Sequence, residues 1–434
     1  MEATIIEASN ASGSVLHSSF PEWGFSELAR SMDSTIKKDD ICKTVLYLQG
    51  ISTYTDSCAF NSGMSGESSV GKTYVTLQVA SFFPEQDVKI IGGASPTAFF
   101  HIDDPKTEEE KKKEKETKTK YTKIIDLEQK IVILLDMPSD ELLRRIRPVL
   151  SHDKKEIPFK ITDKNAKGSL RTKTAIIRGF ASFILCSVGT SKDDQEKTRM
   201  FMLNPESDED KIDQSLEMIA LMQGDHERFN LMVKNDPKKR ELTERTLAIK
   251  QAKINTIDVP TYSGVLNKFR DMASHRTPRE MRDLPRLFDL IKGFALLNFR
   301  NRKIIVVGDI RKLIANDTDV KNGFQVYSKI MESNSLGLSP EQLTIYKTCV
   351  MPEMTDLGLD VEDIRQKFLE KYHRQLTEYR LKKDLIPSWK NAGLVYEEIS
   401  PRDRRKTVIM ALKDRKTTEP QKAEPMVEED HWKW

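Results

Sequence analysis

The chain has 434 residues, which at roughly 150 residues per domain allows about three domains and a core large enough for an enzyme. Lys and Arg total 70 against 67 Asp and Glu, a net charge of +3, so the chain is not a uniformly basic coat for a polyanion, and any such surface must be local. Cys42, Cys58, Cys186 and Cys349 lie far apart with no CxxC pair, which argues for free buried thiols over a zinc site or a disulfide framework. No apolar run of about 18 residues and no basic-then-apolar leader is read, so no membrane partner is expected and a cytoplasmic location is.

In chain order, residues 1–34 are expected to form a weakly ordered tail, because Ser12, Gly13, Ser14, Ser18 and Ser19 break any sustained period. Ile41, Val45, Leu46 and Leu48 then predict a helix, and Cys58-Ala59-Phe60 a short strand before a glycine-rich stretch. Residues 103–123 are almost pure charge, including Glu108-Glu109-Glu110-Lys111-Lys112-Lys113. They cannot bury enough apolar area to offset their ordering entropy; a solvated loop or single helix is expected, with a DNA-contacting arm as the lesser alternative. Residues 35–255 form the predicted α/β core, 256–333 a helical region, 334–413 a further module, and 414–434 a disordered tail.

Gly66-Glu67-Ser68-Ser69-Val70-Gly71-Lys72-Thr73 fits GxxxxGK[ST] without a mismatch. In a phosphate-binding loop of this spacing, backbone N–H groups curl round a β-phosphate, the lysine (Lys72) reaches the β/γ oxygens, and the threonine (Thr73) holds Mg²⁺. Tyr74 to Ala80 follows as a helix ending near Pro84. The loop needs an acidic metal partner at the end of a second buried strand. Lys130-Ile131-Val132-Ile133-Leu134-Leu135-Asp136 supplies one, an unbroken apolar run closed by a carboxylate. Asp136 is therefore the expected Walker-B residue. Where many ATPases place a glutamate next, this chain has Met137, so either Asp140 or Glu141 reaches the attacking water or hydrolysis is slow.

Leu142, Leu143, Ile146, Val149 and Leu150 predict a helix, and residues 156–178 alternate on either side of the turn Asp163-Lys164-Asn165-Ala166-Lys167-Gly168, predicting a β-hairpin. A strand from Phe180 ends in Ser187 and Thr190, where a γ-phosphate-sensing side chain belongs. This order, P-loop, Walker-B strand, helix, hairpin, sensor strand, resembles that of AAA+ ATPases of the pre-sensor-1 hairpin clade, which includes superfamily III viral helicases and minichromosome-maintenance helicases. Leu150-Ser151-His152-Asp153, Lys160 to Lys164, Arg171-Thr172-Lys173 and Arg178-Gly179-Phe180 look more narrowly like primase-associated ATPases of phages, plasmids and integrated elements, over about residues 36 to 300. The resemblance implies ATP and Mg²⁺ as cofactors, a sensor at Ser187, hairpin-tip Lys164 and Lys167 touching DNA in a central pore, and Arg199 as an arginine finger offered to a neighbouring subunit. Ordinary surface lysines and a salt-bridging arginine are the alternatives at those positions. Homo-oligomerisation, DNA and a primase or other replication protein are the implied partners.

Leu266, Phe269, Met281, Leu284, Leu287, Leu290, Ile291 and Phe294 recur at helical spacing. A helical lid in that position offers a second arginine to the nucleotide, and Arg282 or Arg286 is the candidate; core-edge arginines are the alternative. Residues 334–413 read as three helices followed by two strands, a winged-helix pattern. Arg365, Lys367, Lys371, Arg374, Arg380, Lys382 and Lys383, with Arg402, Arg404 and Arg405 at the wing tip, give a phosphate-contact footprint, although winged helices also serve protein contacts. The expected fold is an α/β, AAA+-like P-loop NTPase core with a helical lid and a C-terminal winged helix, acting as an ATP-dependent DNA helicase or related motor. An ATP-switched DNA-binding regulator, a helicase loader and, least, a small-molecule kinase are the rivals.

Overall fold

The computed structural model describes residues 4–6, 20–66, 69–93, 95, 122–136, 138–163, 171–186, 199–272, 280–336, 338, 340–355, 357–401, 405 and 407–412. The chain divides into two compact units, Met1–Glu341 and Gln342–Trp434.

The first unit opens with β1 (Thr4–Ile6), α1 (Phe25–Arg30), α2 (Asp40–Ser52), β2 (Ser62–Met64), α3 (Lys72–Ala80), β3 (Val88–Ile91), β4 (Thr122–Asp126) and β5 (Ile131–Leu134). It continues with α4 (Asp140–Leu150), β6 (Glu156–Asp163), β7 (Arg171–Arg178), β8 (Ser182–Leu185), β9 (Phe201–Leu203), α5 (Glu209–Gly224), α6 (His226–Asn235) and α7 (Pro237–Ala252). It ends with β10 (Thr256–Asp258), α8 (Tyr262–Asp271), α9 (Glu280–Leu297), β11 (Lys303–Val307), β12 (Ile310–Ile314) and α10 (Asp317–Ser335).

A five-stranded sheet of order β3-β5-β8-β2-β9, parallel throughout, is its centre. Side chains alternate across a strand, and the two cores divide accordingly. Ile131, Ile133, Ile184, Phe201 and Leu203 face one core, with α2, α3, α7 and α9. Val132, Leu134, Phe183, Leu185 and Met202 face the other, with α4 and with Ile125, Ala175 and Ile177 of a smaller sheet. Both faces of β5 are thus buried, which is why its sequence is an apolar run without alternation. The smaller sheet has order β4-β7-β6: β6 and β7 pair antiparallel from Glu156↔Arg178 to Asp163↔Arg171, and β4 adds in parallel to β7.

Three expectations change. The short strand lies at Ser62–Met64, not at Cys58–Phe60: Ser62 and Gly63 pair with both β8 and β9, whereas Phe60 packs edge-on against Phe201 at 5.3 Å just before it. The expected tail, residues 1–34, is built into the core from Phe20 onward. Trp23 exchanges two hydrogen bonds with Asn298, and the buried Arg245 guanidinium lies over the Phe20 and Trp23 rings at 4.8 and 4.3 Å. The region 256–333 is not a purely helical lid. Leu287, Leu290, Ile291 and Phe294 of α9 are fully buried in the same cluster as Val45 and Leu48 of α2, and β11 and β12 form a hairpin within a four-stranded sheet of order β1-β11-β12-β10.

The unit boundary falls within α11 (Pro340–Ile345), and the second unit continues with a π-turn over Tyr346–Val350, then α12 (Val361–Tyr372), then α13, which passes from Glu378–Arg380 through a π-turn at Leu381–Leu385 into Ile386–Asn391. An antiparallel pair, β13 (Val395–Ile399) and β14 (Thr407–Ala411), closes it, and Leu359 bridges to Ile409 of β14. Trp389 is fully buried at its centre and donates its indole N–H to the Gln342 carbonyl at 2.9 Å.

Candidate functional site

The GxxxxGK[ST] loop leaves the carboxyl end of β2 and enters α3. Gly66 has φ 115° and Gly71 φ 92°, conformations L-residues rarely adopt. A Cβ on Gly66 would also stand 2.1 Å from Asn204 Oδ1, whereas one on Gly71 would meet nothing within 4 Å, so the second glycine serves backbone direction alone. Gly71 is the N-cap of α3, no side chain caps the helix, and its first turn holds no acidic residue. A helix start of this kind turns its N–H groups and positive dipole end toward an anion. Lys72 Nζ donates to the Gly66 carbonyl at 2.8 Å, which draws the ammonium back across the loop. Thr73 is exposed at the helix start, and Ser69 and Val70 lie on the loop between the glycines. Glu67 and Ser68 lie outside the described residues.

The other expected groups sort by sheet edge. The β3–β5 ladder continues through Leu135 N–H to Ile91 O and Asp136 N–H to Gly92 O, and it delivers an exposed Asp136 to the carboxyl edge, the edge of the P-loop. Asp140 and Glu141 open α4 on the same edge, where Ser139 caps the helix; Glu141 is held by Arg145 at 2.6 Å. Strand β8 lies between β5 and β2, and Cys186 N–H still bonds Leu134 O at 2.8 Å, so the chain leaves β8 at this edge. Ser187, which follows, lies outside the described residues.

Arg199 lies elsewhere. It precedes β9 at the amino edge, donates to Ser151 Oγ, and is half-buried. Some 10 Å of strand separates it from the P-loop edge, so it does not serve its own chain's loop. Arg286 is buried, paired with Asp283 at 3.0 Å and set 5.6 Å from the Phe201 ring, an arginine of the core edge and not of a lid; Arg282 is exposed. Lys164, Lys167, Arg402 and Arg404 lie outside the described residues; Arg405 is exposed. In the second unit, Arg365 pairs with Glu362, Lys367 with Glu353 and Lys382 with Glu378, at 2.6 to 2.8 Å, so these cations are partly neutralised by their own chain.

A buried polar network beneath the P-loop was not legible in the sequence. Lys211 of α5 reaches the Val70 carbonyl at 3.2 Å, the Glu206 carbonyl at 2.8 Å and Asp39 Oδ2 at 2.6 Å. Asp39 Oδ1 in turn accepts the Glu206 N–H at 2.6 Å. In sequence, Lys211 belongs to the acid-rich start of a helix, Asp208-Glu209-Asp210-Lys211, and reads as a surface residue.

A groove of about 960 Å³ lies at the amino edge, lined by Tyr54, Pro84, Glu128, Phe180, Leu247 and Lys250 among others. Charged groups in and beside it pair with one another: Asp87 accepts from Tyr54 Oη at 2.8 Å and from Lys250 at 2.6 Å, and Lys155 bridges Asp56 and Glu128. The carboxyl edge is the better anion site, although the groove lies at the opposite edge. Its loop, uncapped helix and Lys72 fit a polyphosphate. Thr73 and Asp136 fit Mg²⁺, which takes only one or two protein oxygens besides phosphate and water; among the described residues no cluster of three or more His, Cys, Asp or Glu is found. No protein-family model matches the chain, and no curated protein matches its sequence.

Proposed function

We propose that the first unit binds and hydrolyses ATP with Mg²⁺, and that the assembled protein uses this to move or separate DNA strands. The observation that supports this best is the strand order. With β8 between β2 and β5, the P-loop, the exit of β8 and Asp136 open onto one edge, the arrangement a γ-phosphate sensor requires. Lys72 and the α3 amides would hold the phosphates, and Thr73 and Asp136 the metal. Bound nucleotide supplies the phosphoryl bond that water cleaves; the chain contributes binding, orientation and charge stabilisation. Asp140, on the same edge, is the acid we assign to orienting that water, since Glu141 is engaged by Arg145.

An amino-edge Arg199 is consistent with a finger acting in trans and hence with an oligomer. Three helices, a bridging strand at Leu359 and the β13–β14 pair support a winged helix in the second unit, with Arg405 on its wing. A second reading, an ATP-switched DNA-binding regulator, is favoured by Met137 in the place of a catalytic glutamate. Measuring ATP turnover with and without single-stranded and forked DNA tests the motor. Stimulation by forked DNA, with unwinding lost when Lys164 and Lys167 are both changed to Ala, is expected. Turnover indifferent to DNA, or unwinding unaffected by that change, contradicts it and leaves the regulator.

A further inference from the structure

Two non-glycine residues, Lys38 and Asp39, sit at φ 53° and 56°, in the left-handed region that L side chains other than Asn and Asp avoid. This bend carries the wholly buried Asp39 carboxylate beneath the P-loop, where it meets Lys211, itself nearly buried. Lys211 Nζ donates to Glu206 O and to Val70 O, and forms an ion pair with Asp39 Oδ2 at 2.6 Å. Val70 is a P-loop residue immediately before Gly71.

The peptide between Val70 and Gly71 is planar and trans, so its C=O and N–H point in opposite directions. A Val70 carbonyl held by Lys211 obliges the Gly71 N–H to point away from α5. The φ of 92° at Gly71 then sets the following amides of α3 relative to it. Resting on the nucleotide reading, we propose that the buried Lys211–Asp39 pair is a positioning device for the phosphate loop: it fixes the Val70–Gly71 peptide so that the Gly71 N–H faces the β-phosphate. Neither residue touches the phosphate itself.

The energetics favour such a role over a stabilising one. Burial pushes the Asp39 carboxyl upward in spite of Lys211 beside it, and buried ion pairs are often replaceable by apolar groups without loss of stability.

The test is ADP binding by calorimetry to the full chain. Lys211→Met alone strands a buried carboxylate, so Asp39→Asn/Lys211→Met is the main variant, with Lys211→Gln, which keeps an N–H for Val70 O, as the second. The double variant is expected to unfold within a few degrees of wild type, to bind ADP about tenfold more weakly, a loss typical of one misdirected charge-assisted hydrogen bond, and to compete as wild type does for AMP, which has no β-phosphate. Lys211→Gln is expected to stay within about threefold of wild type for ADP. Wild-type ADP affinity in the folded double variant overturns the proposal. Equal losses for ADP and AMP, or failure of both variants to fold, assign the pair a purely structural role and also overturn it. Wild-type protein that binds no ADP contradicts the nucleotide reading itself, a different result from equal binding by wild type and variant.

Discussion

The two edges of the central sheet are built from similar materials and arranged differently. At the amino edge charged residues in and beside the groove pair with one another: Asp87 takes Tyr54 and Lys250, and Lys155 takes Asp56 and Glu128. At the carboxyl edge positive φ values cluster at Gly66, Ser69 and Gly71, α3 starts without a side-chain cap, and Asp136 is exposed. Backbone strain held in place by neighbours, beside an exposed carboxylate, marks a candidate site better than a groove does.

The comparison breaks most visibly if an acid at each edge is removed. Asp136→Ala is expected to cut ATP turnover by about 10²- to 10³-fold while the melting temperature stays near wild type, because its exposed carboxylate supports no fold contact that burial would make costly. Normal Mg²⁺ dependence of turnover in that variant would move the metal site elsewhere. Asp87→Ala should do the reverse. Taking a 3% exposed carboxylate from Tyr54 and Lys250 is expected to lower stability by about 3 kcal/mol, read by denaturant unfolding, with nucleotide affinity unchanged. A stable Asp87→Ala protein with weakened nucleotide binding would reverse the assignment of the two edges.

A smaller effect concerns Asp289 on α9, whose neighbour Lys292 donates to the Ser57 carbonyl at 2.9 Å. Burial pushes its carboxyl from 3.8 up to about 7, against the pull of Lys292 and Arg286. The unfolded chain ionises this group above about pH 4, whereas the folded chain keeps the proton until near pH 7. Its contribution to stability is thus fully present below pH 4 and lost as the pH rises through 7. Asp289→Asn is expected to raise stability by about 2 kcal/mol at pH 8 and by almost nothing at pH 4, in paired unfolding curves. Equal shifts at both pH values would show that ionisation is not the cause.

How legible these features were depended on how local their causes are. Strand β5, the helix after the GxxxxGK[ST] motif and the antiparallel pair β6–β7 follow from local pattern, and each stands where its sequence places it. Strand β2 is less legible, because Ser62 and Gly63 carry no apolar signal while Cys58-Ala59-Phe60 does. The β11–β12 hairpin carried its own signal, Ile304-Ile305-Val306-Val307 before Gly308-Asp309, but lay between strong helical patterns. Phe20 to Arg30 was read as part of a tail since its partners lie far along the chain, Asn298 being 275 residues from Trp23. Lys211 and Asp39, 172 positions apart by number (211 − 39), could not be paired by pattern at all, and only the fold shows that they share the underside of the loop.

The central claim is that the carboxyl edge holds a nucleotide, and equilibrium titration of the full chain with ATP and Mg²⁺, in parallel with Lys72→Ala, tests it most directly. The geometry predicts saturable binding at one site per chain for the wild type and a loss of at least about 100-fold on removing Lys72, with the folded state retained. Absence of binding by the wild type, or unchanged affinity in a folded Lys72→Ala protein, would contradict it.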